Sequence, residues 1–337
     1  MSDTGALGWA VLGCGDITEK RGAPAIVAQE QSRLVGFHSR TAARAEEFAR
    51  RFGAERWTTD RAELLADPAV TAVYVATEHH RHHDDVLAAA EAGKHVLCEK
   101  PLAMSAEEGR RMIDACNAAG VALQVAYYRR YYPKMVKMKE LLDAGAIGDP
   151  VTASIHLAGR LAPEQASNAG PYGIGWRVNA AHSGGGALVD TGSHRLDLLC
   201  WLLGEPDRVA AFAERLELPI QASDMETILI RMRSGPHVVT RHGYRSPSPD
   251  EFEITGTLGT LSATPVDGPG LRLRVGGREE SWELPKHENV HFPLFDDFAR
   301  RVTAGESPRY TGEDGLLATR IIGACYQSAR SGRVVEA

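Results

Sequence analysis

Apolar and polar positions alternate in two distinct styles along the chain, and the first style fills residues 1–125. "WAVLGCG" is an apolar run closed by a glycine turn, and "SRLVGFHS" is a second run of strand length. "TAARAEEFARRFG" is rich in Ala, Glu and Arg and predicts a helix that stops at Gly53. "AVTAVYVAT" shows no polar alternation, as expected of a strand buried on both faces. "HDDVLAAAEAG" predicts a helix ending at Gly93, followed by the strand "KHVLCEK". "SAEEGRRMIDACNAAG" opens with a capping box, Ser105 and Glu108, and stops at Gly120 before the strand "VALQVAY". Repeated strand–helix alternation predicts an α/β, doubly wound parallel sheet, with the domain ending near residue 125.

The second style begins with a helix over "YPKMVKMKELLDAG". Strand-like runs then follow one another: "VTASIHLAG", "DRVAAFAERL", "METILIRMRSG", "HVVTRHGY", "EFEITGTLGTLSAT", "LRLRVGG" and "ESWELP". Gly, Pro and short turns separate them, which predicts a large, mostly antiparallel sheet. One helix interrupts the series within "GGGALVDTGSHRLDLLCWLLGEP", and the tail returns to helix in "PLFDDFARRVTAG" and "GEDGLLATRIIGACYQSARSG". Residues 126–337 are therefore expected to form a second, α+β domain. The irregular stretch Pro163 to Gly186 reads as a mobile loop near a site.

Composition narrows the function without naming it. A length of 337 residues exceeds one ordinary core and agrees with two domains. The net charge of -6 argues against nucleic acid as a partner, since phosphate-binding surfaces are usually basic. Cys14, Cys98, Cys116, Cys200 and Cys325 are scattered and form no CxxC pair, so neither a disulfide framework nor a zinc site is expected. Free thiols suit a reducing compartment. No apolar run is long enough to span a bilayer, and "MSDTGALGW" lacks the marks of a signal peptide. Cytoplasmic residence is the expectation.

Candidate chemistry gathers at predicted strand tips. "HVLCEKPLAM" ends an apolar run abruptly in Glu99, Lys100 and Pro101; in an open α/β sheet such a tip is where ligands bind. Gly13-Cys14-Gly15 follows the first strand, as in a turn where one glycine allows the bend and another lets the backbone approach a pyrophosphate. The third glycine position is Thr18, so the strict GxGxxG pattern is broken, and an ordinary tight turn is the alternative. NAD binders usually carry an acid about 20 residues on. Here "GFHSRTAAR" offers Ser39, Arg40 and Thr41 instead, which suits a 2′-phosphate and favours NADP over NAD, with a solvated arginine at a helix start as the alternative.

A second constellation lies in "GGGALVDTGSHRLDLLCWLLG". On a helix, Leu196, Leu199, Cys200 and Leu203 form an apolar stripe, while Asp190, His194, Asp197 and Trp201 share a separate polar one. Two readings stand. Asp190 and His194 form an acid–base pair with Asp197 orienting the imidazole, or the stripe faces solvent with a capping aspartate. The run "HHRHHDD" places His79 and His83 at i, i+4, but no further ligand motif accompanies them, and no metal is expected.

Together these motifs resemble the Gfo/Idh/MocA oxidoreductase family, that of glucose–fructose oxidoreductase and inositol dehydrogenase, over essentially the whole chain. The carriers are Gly13-Cys14-Gly15-Asp16-Ile17, "AGKHVLCEKPLA", "RRYYP", Trp176-Arg177 and "GGGALVDTGSHRLD". The resemblance implies an N-terminal Rossmann dinucleotide-binding domain and a C-terminal domain whose open sheet mediates homodimer or homotetramer contacts. It implies cofactor contacts from Gly13, Gly15, Asp16, Ile17, Thr77, His79, His82, Glu99, Lys100 and Pro101, with a cis Lys100–Pro101 bond. It also implies a substrate site lined by Lys100, Tyr128, Trp176, Arg177, Asp190 and His194. Two positions depart from the family: Thr77-Glu78-His79 stands where relatives often read Thr-Pro-Asn, and Tyr128 stands where they often carry a smaller polar residue.

The implied activity is NADP- or NAD-dependent hydride transfer to or from a secondary alcohol or ketone of a sugar, cyclitol or related polyol. His194 would take the hydroxyl proton, Lys100 would stabilise the developing alkoxide, and Asp190 would fix a neighbouring hydroxyl or the base. Tyr127, Tyr128, Tyr172 and Trp176 suit a sugar ring. Two rivals share the family: an NAD-dependent glycoside hydrolase acting by transient oxidation, and a non-catalytic dinucleotide sensor. Retention of Lys100, Asp190 and His194 counts against the sensor.

Overall fold

The computed structural model describes residues 5–159, 174–216, 218, 220–244, 247 and 250–337. The chain divides into two compact units, Met1–Tyr128 with His287–Leu316, and Arg129–Lys286 with Leu317–Ala337. The sequence pattern expects one cut near residue 125; in the structure the chain returns to the first unit after residue 286. The reason is the helix Phe292–Thr303, which buries Leu294, Phe295, Phe298 and Ala299. Its Phe295 and Phe298 rings lie 5.4 and 5.5 Å from the Trp9 ring, and Phe295 meets Tyr74 edge-on at 5.0 Å. Periodicity shows which face of such a helix is apolar, not which sheet it covers.

The first unit holds, among the described residues, six strands: β1 (Leu7–Leu12), β2 (Ser32–His38), β3 (Arg56–Thr58), β4 (Ala72–Val75), β5 (His95–Cys98) and β6 (Leu123–Val125). All pairs are parallel, in the order β3-β2-β1-β4-β5-β6. Every residue of β1 and of β4 is buried, as their unbroken apolar runs require. The short β3 carries no such run, and the sequence pattern does not predict it.

Leu12 pairs with His38 and Val75, Val75 with Cys98, and Cys98 with Val125. The chain therefore leaves the sheet on one edge at Gly13, Ser39, Ala76 and Glu99. Strand order reverses beside β1, so this edge is the topological switch point where doubly wound sheets bind ligands. The expected helix stops hold, with Gly53, Gly93 and Gly120 at φ 71°, 68° and 66°. Ser105 caps the helix Ala106–Ala118 by accepting from Glu108 N at 3.1 Å. The Glu108 carboxylate accepts from Met104 N at 3.1 Å.

The second unit holds β7 (Pro150–Ala158), β8 (Pro206–Glu214), β9 (Met225–Met232), β10 (His237–Gly243), β11 (Glu251–Gly256), β12 (Gly259–Ser262), β13 (Gly270–Val275), β14 (Arg278–Glu283) and β15 (Val335–Glu336). They form one sheet in the order β14-β13-β12-β11-β7-β10-β9-β8-β15. β7 and β10 pair in parallel, and the other described pairs are antiparallel. The run "EFEITGTLGTLSAT" is a hairpin of β11 and β12 rather than one strand. It turns at Thr257-Leu258, whose amides donate to Asp149 O and Ile147 O. Of the loop expected from Pro163 to Gly186, residues 163–173 lie outside the described residues; Ile174–Val178 and Ala180–Ser183 are short helical turns. Among the described residues no helix is long and apolar enough to cross a membrane.

Candidate active site

The glycine turn after β1 is built to leave backbone bare. Gly13 adopts φ 109°, and a Cβ there would stand 2.5 Å from Ala76 O, so glycine is required. At Gly15 a Cβ would meet nothing within 4 Å, so the turn presents open backbone at the switch point. This bare turn fits a dinucleotide pyrophosphate. Thr18, in the third glycine position, is buried and donates its hydroxyl to Gly13 O at 2.7 Å. The close approach of helix to sheet falls instead to Gly22, where a Cβ would lie 2.3 Å from Tyr74 Cε1. The turn opens a π-helical stretch, Thr18–Gly22, preceded by Ile17, and Asp16 pairs with Lys20 at 2.6 Å. At the β2 tip, Ser39 Oγ accepts from Thr41 N at 3.3 Å, and Arg40 donates to Glu78 Oε1 at 2.9 Å.

The histidine run does structural work beside this edge. His82 is fully buried, with Nδ1 2.9 Å from Pro101 O and Nε2 3.2 Å from Thr77 O. Burial holds its pKa below the ordinary 6.5 against the pull of those two carbonyls. A neutral imidazole carries one N–H, so it donates to one of these two carbonyls, between the loops that follow β4 and β5. Thr77 donates its hydroxyl to buried Asp85 at 2.8 Å, and the His79 ring lies 5.5 Å from that of His82.

Glu99 explains the abrupt end of "HVLCEKPLAM". It is buried, and its Oε1 accepts from Tyr74 Oη at 2.7 Å and faces His291 Nε2 at 3.1 Å. Its Oε2 accepts from Lys100 N at 3.2 Å. Burial alone would raise the carboxyl, but the His291 hydrogen bond and charge, the Lys100 ammonium and the Tyr74 hydroxyl outweigh it and bring the pKa to about 2. Glu99 is therefore an anchored anion beneath the Lys100 backbone, and the Lys100–Pro101 bond is cis as expected. The Tyr128 ring lies 4.5 Å from the His291 ring. Sequence reasoning missed Tyr74 and His291. Tyr74 left a signal, since a buried phenol needs a partner; His291, 192 residues from Glu99, left none.

In the second unit, Asp190 sits in a π-helical turn, Leu188–Gly192, that leads into the helix Ser193–Leu203. Such wide turns recur at functional sites. Asp190 Oδ2 accepts from Tyr244 Oη at 3.2 Å, and Arg177 Nε lies 4.0 Å from Oδ1, its guanidinium 5.6 Å from the Trp176 ring. Trp176, Arg177 and Asp190 are thus neighbours, joined by Tyr244, which the sequence did not flag. Burial, then the Asp190 charge, pushes the Tyr244 hydroxyl well above its ordinary pKa, so it stays a donor. Tyr172 lies outside the described residues.

The solvent-facing reading of the Asp190–Trp201 stripe does not hold: every residue from Ser193 to Cys200 is buried, His194 included. Asp197 also meets a partner that helical spacing does not show. Its carboxylate is gripped by Arg130, with Nε 3.1 and 3.0 Å from Oδ1 and Oδ2 and the terminal nitrogen 2.6 Å from Oδ1. Regular helical spacing gave no warning, because a guanidinium 67 residues away takes the carboxylate.

Glu226 on β9 holds the Asp190 turn from below. It is buried and accepts from Ser223, from Tyr326 Oη at 3.2 Å and from the backbone of Leu188, the first residue of that turn. Burial raises its pKa from 4.5 to about 7 in spite of these hydrogen bonds, and Asp224 adds to the rise. Unfolded, the group ionises near its ordinary value, so between the two values the unfolded chain holds fewer protons and stability falls as pH rises. Glu226→Gln removes this loss. Its thermal midpoint should gain on wild type between about pH 5 and pH 8 and run parallel above that range. Parallel midpoints across the whole range would place the Glu226 carboxyl outside the titration.

The description "Oxidoreductase family, NAD-binding Rossmann fold" matches residues 7–127, and "GFO/IDH/MocA C-terminal domain" matches residues 135–262. The chain is similar to the D-xylose 1-dehydrogenase (NADP(+)) 2 of Haloferax volcanii, 31% identical over 97% of this chain and 99% of that one. It is similar to the 1,5-anhydro-D-fructose reductase of Ensifer adhaerens, 30% identical over 97% and 98%. The crystal structure of an aldose–aldose oxidoreductase from Caulobacter crescentus, complexed with glycerol, superposes with a TM-score of 0.88 at 28% identity, covering 98% of this chain and all of that one.

Proposed function

This chain belongs to the Gfo/Idh/MocA family of oxidoreductases, and we propose that it transfers hydride between NADP, or NAD, and a secondary alcohol or ketone of a sugar, cyclitol or related polyol. The observation that carries this reading is the anchored Glu99-Lys100-Pro101 tip on the same sheet edge as the bare Gly13–Gly15 turn. The backbone at Gly13, Gly15 and Ile17 would hold the pyrophosphate, and Ser39, Arg40 and Thr41 the adenosine end, with NADP preferred. The nicotinamide cofactor, when bound, supplies the hydride chemistry. Lys100 donates a hydrogen bond to the substrate oxygen and stabilises its negative charge. His194 accepts the hydroxyl proton during oxidation and returns it during reduction. Asp190, braced by Tyr244 and Arg177, orients a neighbouring hydroxyl. Tyr128 and Trp176 offer ring faces to the sugar.

The test is a panel of aldoses, cyclitols and ketoses assayed with each cofactor by absorbance of the reduced nicotinamide. Turnover on at least one member, fastest with NADP, is expected. Oxidised cofactor retained through purification, with glycoside cleavage and no net absorbance change, would replace this reading by the hydrolase. Cofactor binding with no turnover would leave the sensor. Self-association as a homodimer or homotetramer is part of the same proposal. It is supported by Phe212, Leu229 and Val239, which stand 73%, 55% and 43% exposed on adjacent β8, β9 and β10. Phe212→Asp should lower the mass seen by light scattering; a monomeric wild type would remove the idea.

A further inference from the structure

The β2 tip carries no acid of its own at residues 37–41, yet in space it has one. β2 and β4 flank β1, so the loops that follow them leave the same sheet edge on either side of the Gly13 turn. From the β4 side comes Glu78. Its Oε1 accepts from Arg40 at 2.9 Å, and His80 Nδ1 lies 3.7 Å from Oε2. Arg40 is 68% exposed and Glu78 19%, so the carboxylate is the fixed partner and the guanidinium the one free to move. We propose that Glu78 is a specificity-determining residue for the cofactor: by pairing with Arg40 and placing a negative charge beside it, it restrains the preference for a 2′-phosphate. This rests on the dinucleotide reading above.

The charges set the direction. A 2′-phosphate is an anion that would share the Arg40 guanidinium with Glu78, and carboxylate and phosphate repel. A plain ribose instead brings hydroxyls that can donate to a carboxylate, the role an acid at the β2 tip plays in NAD binders. Glu78 thus returns to this edge, from another strand, part of what the sequence lacks at the expected place.

The test is fluorescence titration of wild type, Glu78→Gln and Arg40→Gln with NADPH and with NADH. Glutamine keeps the shape and an acceptor oxygen and removes the charge. Glu78→Gln should raise the ratio of NADPH to NADH affinity by roughly three- to tenfold, the scale of a partly exposed charge pair. The gain should shrink in high salt. Arg40→Gln should lower the same ratio. A Glu78→Gln ratio within about twofold of wild type, with Arg40→Gln still lowering it, would overturn the role of Glu78 while leaving the cofactor reading intact. Wild type that binds neither nucleotide would overturn the cofactor reading itself, and the proposal with it.

Discussion

Replacing Lys100 by methionine is expected to lower kcat by roughly 10²–10³-fold while NADPH and NADH still bind within about twofold of wild type. Methionine keeps the length and apolar stem and removes the one ammonium at the β5 tip. The loss is of that size because a donor aimed at developing oxyanion charge acts in the transition state rather than in cofactor binding. The tip itself should survive, since Glu99 is held by Tyr74, by His291 and by the Lys100 backbone rather than by the ammonium alone. His194→Asn should fall by about 10²–10⁴-fold, the usual range for a lost general base. Both are read by steady-state kinetics on the best substrate of the panel, beside a nucleotide titration. Turnover near wild type in either variant removes that residue from the mechanism.

Asp197→Ala should produce the largest loss of stability. Arg130 and Asp197 are 1% and 0% exposed, so deleting the carboxylate removes a counter-charge from a buried guanidinium. Breaking such a pair costs about 3–5 kcal/mol, far above the value of a surface bridge. The double variant Arg130→Met/Asp197→Leu removes both charges and should recover most of that loss, because well-packed apolar replacements of a buried pair are often neutral. Urea unfolding of the single and double variants decides this. A single-variant loss under about 1 kcal/mol would mean that the pair does not anchor the helix. The pair anchors the helix that carries His194.

Local pattern determined a great deal. Unbroken apolar runs marked β1 and β4 because strands buried on both faces admit no polar alternation, and glycines marked helix ends because φ near +70° disfavours residues with a Cβ. The tight turn at Gly13, the cap at Ser105 and the strand tip at Glu99-Lys100-Pro101 were legible for the same reason: each depends on neighbours a few residues away. Tertiary structure decided the rest. Only the folded chain brings His291 and Tyr74 to Glu99, Arg130 to Asp197, Tyr244 to Asp190 and Glu78 to Arg40. It alone returns the helix Phe292–Thr303 to the first unit. Buried charges must find partners, but which partner reaches them depends on strand order and packing across many tens of residues, and residue spacing carries no record of that.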